Sequence, residues 1–378
     1  MSLLQRALAN IRSPAIRAVA PARLPASAPF GHSAGLLGGS HRANLNRMGQ
    51  TSWLFSVVDA IASSVAAVEW HLYQRGRKRE LTEIDDHEAM LLWLDISPFA
   101  TQFEFVEAMV QNYCLVGEMW AVKLPLQGDG GGKPRELMVI RPDMITPVPS
   151  REQYIAGYIY QVGGERIPLA REDVMSAKRS NPSDPYRGIG PVQALLYDLD
   201  SERFSAIWNR SFFINGAEPG GVIEFPDELS DIEWERFGQR WREGHQGVGN
   251  AHRVAVLERG KWVDRKFSMR DMQFKDLRYI NRDIVLGAFR VHKHILGIAD
   301  DVNRANAEAA MVGFASFVLR PILQRIKDML NTQFLPAWGE GLEFGFEDPT
   351  PEDAELNRRI ALTGVETGTL TKDEVRKL

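Results

Sequence analysis

NRSFFINGAEPGGV, residues 209–222, reads as the last turns of a long helix followed by an abrupt stop, and the rest of the chain is organised around it. Upstream, Ile189, Val192, Leu195, Leu196, Leu199, Ile207, Trp208 and Phe212 recur mostly at three- and four-residue steps. This is an apolar stripe on a helix from about Pro191 to Ile214. Asn215 and Gly216 end it, because both residue types enter the left-handed C-cap conformation at little steric cost. Downstream, Gly221 to Phe225 has strand character, and Ser230-Asp-Ile-Glu233 is a capping box opening a helix to about Glu243. Arg253 to Leu257 and Trp262 to Phe267 are expected to pair across Glu258-Arg-Gly260. A second long helix starts at Ser268, with Asp271 in its third position, and is expected to run to about His294. Local rules therefore place a compact α/β insert between two long helices.

A polar break, Ala299 to Asn306, precedes a third helix with Met311, Ala315, Val318, Leu319, Ile322, Ile326 and Leu330 on one face. Pro321 lies inside it, removing a backbone hydrogen bond and crowding the preceding turn at about 3 kcal/mol, so a kink is expected between Phe317 and Pro321. Leu342 to Phe346 is one further strand, and helices open at Thr350-Pro-Glu-Asp353 and Thr371-Lys-Asp-Glu374.

Before the first long helix, helices and strands are mixed. Trp53 to Trp70 reads as a packed helix, since Asp59 and Glu69 interrupt it, and no run of eighteen apolar residues occurs. Thr101 and Glu104 form a capping box for a helix to about Val116. Strand-like pieces follow at Met119 to Leu124, Leu137 to Ile140, Ile155 to Val162 and Arg166 to Leu169. Residues 1–50 differ from all of this: six arginines, no acidic residue, and clusters of Ala, Pro, Gly and Ser. They read as a basic arm, either a tail without a specific partner or a contact element. The composition also mimics an organellar transit peptide.

Hydrophobic residues at 44% and charged residues at 25% are globular values, and 378 residues favour more than one structural unit. The single cysteine, Cys114, leaves no internal disulfide framework. The formal net charge of −4 argues against a protein that grips DNA phosphates for affinity. Enzyme signatures fail on inspection. His292 and His294 are two apart and do not share a helical face. Residues 128–134, GDGGGKP, miss the first glycine and the final Ser/Thr of a phosphate loop. There is no Gly-x-Ser-x-Gly elbow, and Asp300-Asp301 lack the further carboxylates of a two-metal site. No cofactor is expected.

Four blocks stand in fixed order: residues 209–222, then GNAHRVAVLERG (249–260), SMRDMQFKDL (268–277) and LRPILQRIKDMLN (319–331). Together they resemble the portal proteins of tailed bacteriophages of the long-tailed type. The resemblance implies an α+β portal fold: a basic flexible arm (1–50), an α/β wing (51–188), stem helices (189–215 and 268–296) and a small α/β clip (216–267). It further implies a tunnel loop with a kinked helix (297–335), a wing return (336–350) and the start of a helical crown (351–378), short or truncated. In relatives an apolar-Pro-Pro segment precedes Leu-Gly where this chain has Val291-His-Lys-His-Ile-Leu-Gly297, so the second stem helix is expected to extend further here.

By the same resemblance the protein is a non-enzymatic ring, twelve subunits in number, at one capsid vertex, through which double-stranded DNA is packaged and ejected. Its near-neutral charge suits a wall past which DNA must slide. Asp300, Asp301, Asn303, Arg304 and Asn306 would face the channel; Glu228, Asp231, Glu235, Arg236 and Arg240 would dock partners; Pro321 would kink the tunnel helix. The implied partners are the terminase large subunit, a head-tail adaptor and the major capsid protein, with no membrane. The implied location is the virion, and the host cytoplasm during assembly. Two other readings stay open on the residues alone: a metal-dependent nuclease using Asp300, Asp301 and His294, and a monomeric nucleic-acid-binding adaptor.

Overall fold

A computed structural model describes residues 40–76, 80–125, 133–214, 222–224, 230–245, 261–263, 274–298 and 304–351. The chain divides into two compact units, one formed by residues up to Ala194 together with Leu286 onward, the other by Leu195–Val285.

In the first unit, α1 (His41–Arg47) and α2 (Ser52–Ala66) lead into β1 (Trp70–Arg75) and β2 (Leu81–Glu83). Helices α3 (Glu88–Leu94) and α4 (Gln102–Val116) follow, then β3 (Glu118–Pro125), β4 (Pro134–Val139), β5 (Ile145–Ser150), β6 (Tyr154–Val162), β7 (Glu165–Leu169) and β8 (Val174–Lys178). The expected capping box opens α4: Thr101 Oγ1 accepts from Glu104 N at 3.2 Å, and a Glu104 carboxylate oxygen accepts from Thr101 N at 2.9 Å. Gly117, at φ +82°, ends the helix. Short α5 (Pro191–Ala194) closes this half of the unit.

In the second unit, α6 (Leu196–Ile214) is followed by β9 (Val222–Glu224), α7 (Asp231–His245), β10 (Lys261–Val263) and α8 (Phe274–Phe289), whose last residues return to the first unit. The Ser230–Glu233 cap is present, with Ser230 N donating to Glu233 at 3.1 Å. Lys261–Val263 runs antiparallel to Val222–Glu224, and residues 253–257, expected to pair with Trp262–Phe267, lie outside the described residues.

The second long helix is shorter than its sequence suggested. It stops at Phe289, where Arg290 takes φ +59°, and His292 then caps a 3-10 turn, Lys293–Leu296. The chain continues through α9 (Arg304–Phe314), a π turn (Ala315–Leu319), α10 (Arg320–Met329), a second π turn (Leu330–Phe334) and a 3-10 turn (Leu335–Ala337) to β11 (Leu342–Phe346).

Among the described residues, three antiparallel three-stranded sheets, ordered β11-β1-β2, β4-β3-β8 and β5-β6-β7, build the first unit. Strand β5 carries Pro147 and Pro149, tolerated because, among the described residues, β5 is an edge strand paired with β6 alone. One core joins α2, α4 and the β1 sheet through fully buried Trp93, Phe105, Phe334 and Phe344, with Trp93 edge-on to Phe105 at 6.0 Å. A second core collects Trp120, Val122, Ile140, Ile145, Tyr158, Tyr160, Leu169 and Val174. Each large side chain so buried contributes about 1.5–3 kcal/mol.

The second π turn joins two sheets through side-chain amides. Gln333 accepts from Ser176 N at 2.7 Å and donates to Ser176 O at 2.9 Å, occupying the outer edge of β8. Asn331 does the same to β11, accepting from Phe344 N at 2.7 Å and donating to Phe344 O at 3.3 Å. By length and composition alone, Asn306–Ala337 is one helix able to cross a membrane. Its second half instead carries Arg320, Arg325 and Lys327, of which Lys327 pairs with Glu343 at 3.1 Å and Arg325 donates to Lys178 O at 3.1 Å.

Candidate channel and docking surfaces

Most of the expected channel loop lies outside the described residues, Asp300, Asp301 and Asn303 among them. Arg304 opens α9 and Asn306 is exposed in its first turn. Pro321 is the second residue of α10, directly after the π turn Ala315–Leu319. That turn inserts an extra residue into the helical register, which puts the donorless proline where the regular i to i−4 ladder restarts. It also changes the stripe: Val318, Leu319, Ile322, Ile326 and Leu330 are buried as expected, whereas Met311 is 56% exposed.

Among the residues expected to dock partners, Glu228 lies outside the described residues. The other four are exposed on α7, Asp231 and Glu235 one turn apart and Arg236 and Arg240 one turn apart. Sequence reasoning passed over the apolar side chains beside them: Ile232 and Trp234 are each 66% exposed. The rest of the second unit shows the same feature. On α6, Leu196 and Leu199 are buried, as is Leu195 just before it, yet Tyr197, Phe204 and Ile207 face solvent; on α8, Tyr279 and Ile280 do. Large apolar groups repeated over several helices of one unit mark a surface that a partner covers.

The start of the first long helix is held by a buried charge cluster that the sequence did not disclose. Glu118, fully buried, accepts from Trp120 Nε1 at 2.8 Å, from Gly188 N at 2.5 Å and from Arg187 Nε at 3.1 Å. Arg187 also donates from Nη1 to Ile145 O and from Nη2 to Pro142 O, each at 2.7 Å, and Nη2 meets His41 Nδ1 as well. A guanidinium only donates, so His41 must present a lone pair and be neutral. Burial first, and then the Arg187 charge, push the His41 pKa below its ordinary 6.5. Around this cluster the backbone is too close for side chains: a Cβ on Gly190 would sit 2.5 Å from Leu115 O, and one on Gly188 would strike Gly117 O. The sequence RGIGP, residues 187–191, is therefore the socket from which α5 emerges.

A cleft of about 810 Å³ in the first unit is lined by Lys123, Tyr154, Tyr158, Asp173, Gln333 and Pro336 among others. Lys123 Nζ donates to Gln333 O at 2.6 Å; burial lowers the Lys123 pKa and raises that of Asp173. The lysine thus locks the second π turn and is not presented to a substrate. The Cys114 thiol is buried and its pKa pushed up to about 12, which removes it as a nucleophile. Among the described residues, no group of three His, Cys, Asp or Glu is placed to hold a metal ion. His292 and His294 are committed to a turn, His292 Nδ1 accepting from His294 N at 3.4 Å.

The model of the family described as phage portal protein matches residues 52–378. An uncharacterized protein of Rickettsia bellii is 25% identical over 305 residues, covering 78% of this chain and 77% of its own length. A probable portal protein of Streptomyces phage phiC31 is 29% identical over 203 residues, 52% of this chain and 44% of the phage protein. Among solved structures, a chain in the neck of a native gene transfer agent particle, computed with C12 symmetry, has a TM-score of 0.65 at 25% identity, covering 92% of this chain and 93% of that one. An HK97-family phage portal protein from Corynebacterium diphtheriae shares the fold, with a TM-score of 0.56 at 12% identity over 82% of this chain and 95% of that one.

Proposed function

This chain belongs to the phage portal protein family, and on that premise we propose that it is the ring subunit through which a phage, or a phage-like particle, loads and releases double-stranded DNA. The observation that carries the ring is the set of exposed Tyr197, Phe204 and Ile207 on α6 and Tyr279 and Ile280 on α8, which neighbouring subunits would cover. A heterologous interface repeated around an axis closes into such a ring, and the symmetric particle necks that this chain resembles support that arrangement. Twelve subunits is the number we propose.

The protein does no chemistry in this reading. Residues 216–267 form the clip, where α7 offers Asp231, Glu235, Arg236 and Arg240 beside Trp234 to the terminase large subunit, and after packaging to a head-tail adaptor. Glu228 belongs to the same surface. The first unit is the wing, set against the major capsid protein at one vertex, with assembly taking place in the host cytoplasm. Asp300, Asp301, Asn303, Arg304 and Asn306 face the channel, where carboxylates repel phosphates and the remaining side chains make weak, exchangeable contacts. Mass photometry with negative-stain imaging tests the proposal: a closed ring with a central hole is expected. A monomer at micromolar concentration, or an open filament, refutes it.

A further inference from the structure

One exposed surface lies apart from the ring and clip assignments. Leu91 and Leu94, three residues apart on α3, are 52% and 53% exposed; Phe99, on the short turn that follows, is 79% exposed; Phe103, in the first turn of α4, is 41% exposed. Acids are interleaved with them. Glu88 precedes Leu91 by one turn, Asp95 follows Leu94, and Glu104 follows Phe103. Between Arg79 and Lys123 the sequence contains no lysine or arginine. Lys133, directly before β4, reaches this corner and pairs with Glu88 at 2.8 Å, while among the described residues Asp85, Asp86 and Asp95 form no ion pair.

The complementary pattern occurs once elsewhere in the chain. SLLQRALANIRS, residues 2–13, places Leu4, Leu8 and Ile11 at four- and three-residue steps, with Arg6 between Leu4 and Leu8, Arg12 directly after Ile11, and no acid before Asp59. We propose that this N-terminal segment docks on the α3–α4 corner, its apolar residues against Leu91, Leu94, Phe99 and Phe103 and its arginines against the acidic rim. Such pairing sets apolar side chains on an apolar patch with opposite charges around it.

Two observations place the segment within reach. Ser40 caps α1, and α1 packs on α4, the helix whose first turn carries Phe103. The 39 preceding residues extend to about 130 Å at most, so either the same subunit or the next one in a ring can be served. The docked arm would hide an apolar patch that a free wing leaves wet, giving the basic terminus a structural role that does not require DNA.

The test uses the full chain carrying Ala9→Cys. Cys114 is buried and unreactive, so a maleimide-benzophenone label goes to position 9 alone, and irradiation followed by peptide mapping locates its neighbour. Cross-links into residues 88–104, of the same or a neighbouring copy, are expected. Their yield should fall several-fold with Phe99→Ser, with Arg6→Glu plus Arg12→Glu, and as salt is raised. The arm substitutions leave the folded body untouched, which guards against misfolding of the Phe99 variant. Cross-links to other elements, or a yield that ignores all three perturbations, overturn the proposal, including the case in which another subunit's body covers this corner.

Discussion

Replacing Glu118 by alanine should cost more stability than any surface change in this protein. The carboxylate is fully buried and serves three donors, while Arg187, whose side chain is 13% exposed, would keep its charge with only the carbonyls of Ile145 and Pro142 and the His41 ring as partners. Removing one member of a buried ion pair costs about 3–5 kcal/mol, and the stranded Trp120 and Gly188 N–H groups place the expected loss within that range. At about 2–4 °C per kcal/mol for a unit of this size, the melting midpoint should drop by roughly 6–20 °C. Differential scanning fluorimetry at matched protomer concentration measures it, because assembly itself shifts the midpoint. Glu118→Met with Arg187→Met should be milder than Glu118→Ala alone, since no charge is then left unpaired. A single variant within about 1 kcal/mol of wild type, or a double variant as poor as the sum of its parts, would refute the account of the socket.

Gly190→Ala should lower the melting midpoint through an overpacking penalty of about 1–3 kcal/mol, and an unchanged midpoint would mean the α4–α5 backbone contact can relax. The neutral state of His41 contributes stability that is complete above its ordinary pKa of 6.5 and is lost as the pH falls through the lower folded value. His41→Asn should flatten that limb of the stability–pH curve while leaving stability near pH 8 close to wild type. Deleting residues 217–267 behind a short linker should leave the first unit folded and abolish terminase binding; undiminished affinity would move the docking surface elsewhere. Asp300→Lys with Asp301→Lys should preserve the ring but slow DNA translocation at low salt, and wild-type rates in a reconstituted packaging assay would dismiss the channel-loop assignment.

The parts of the fold that were legible in the sequence are those whose causes are local. The caps at Thr101 and Ser230 each need only four residues, and Leu342–Phe346 announces itself by alternation. Strand β5 hid behind Pro147 and Pro149, because an edge strand tolerates residues that a central strand rejects. The stripe on the third helix failed at Met311 because the π turn at Ala315–Leu319 advances the register, so residues before and after it no longer share one face. The family emerged from the order of four blocks, each weak alone. The socket did not, since Glu118 and Arg187 are far apart in sequence and only the folded chain brings them together.

Asn331 and Gln333 give the first unit a particular mechanical character. Each side-chain amide stands in for one residue of an absent neighbouring strand, so a single turn of helix terminates two sheets at once, at Phe344 and at Ser176. A pull along α10 therefore divides between two sheets in parallel, four hydrogen bonds sharing the tension, and does not peel one strand at a time. The two residues are also two apart, and inserting or deleting one residue between them would release one sheet while keeping the other. In the ring proposed above, that turn would behave as a rivet through two plates, strong under shear and intolerant of any change in its length.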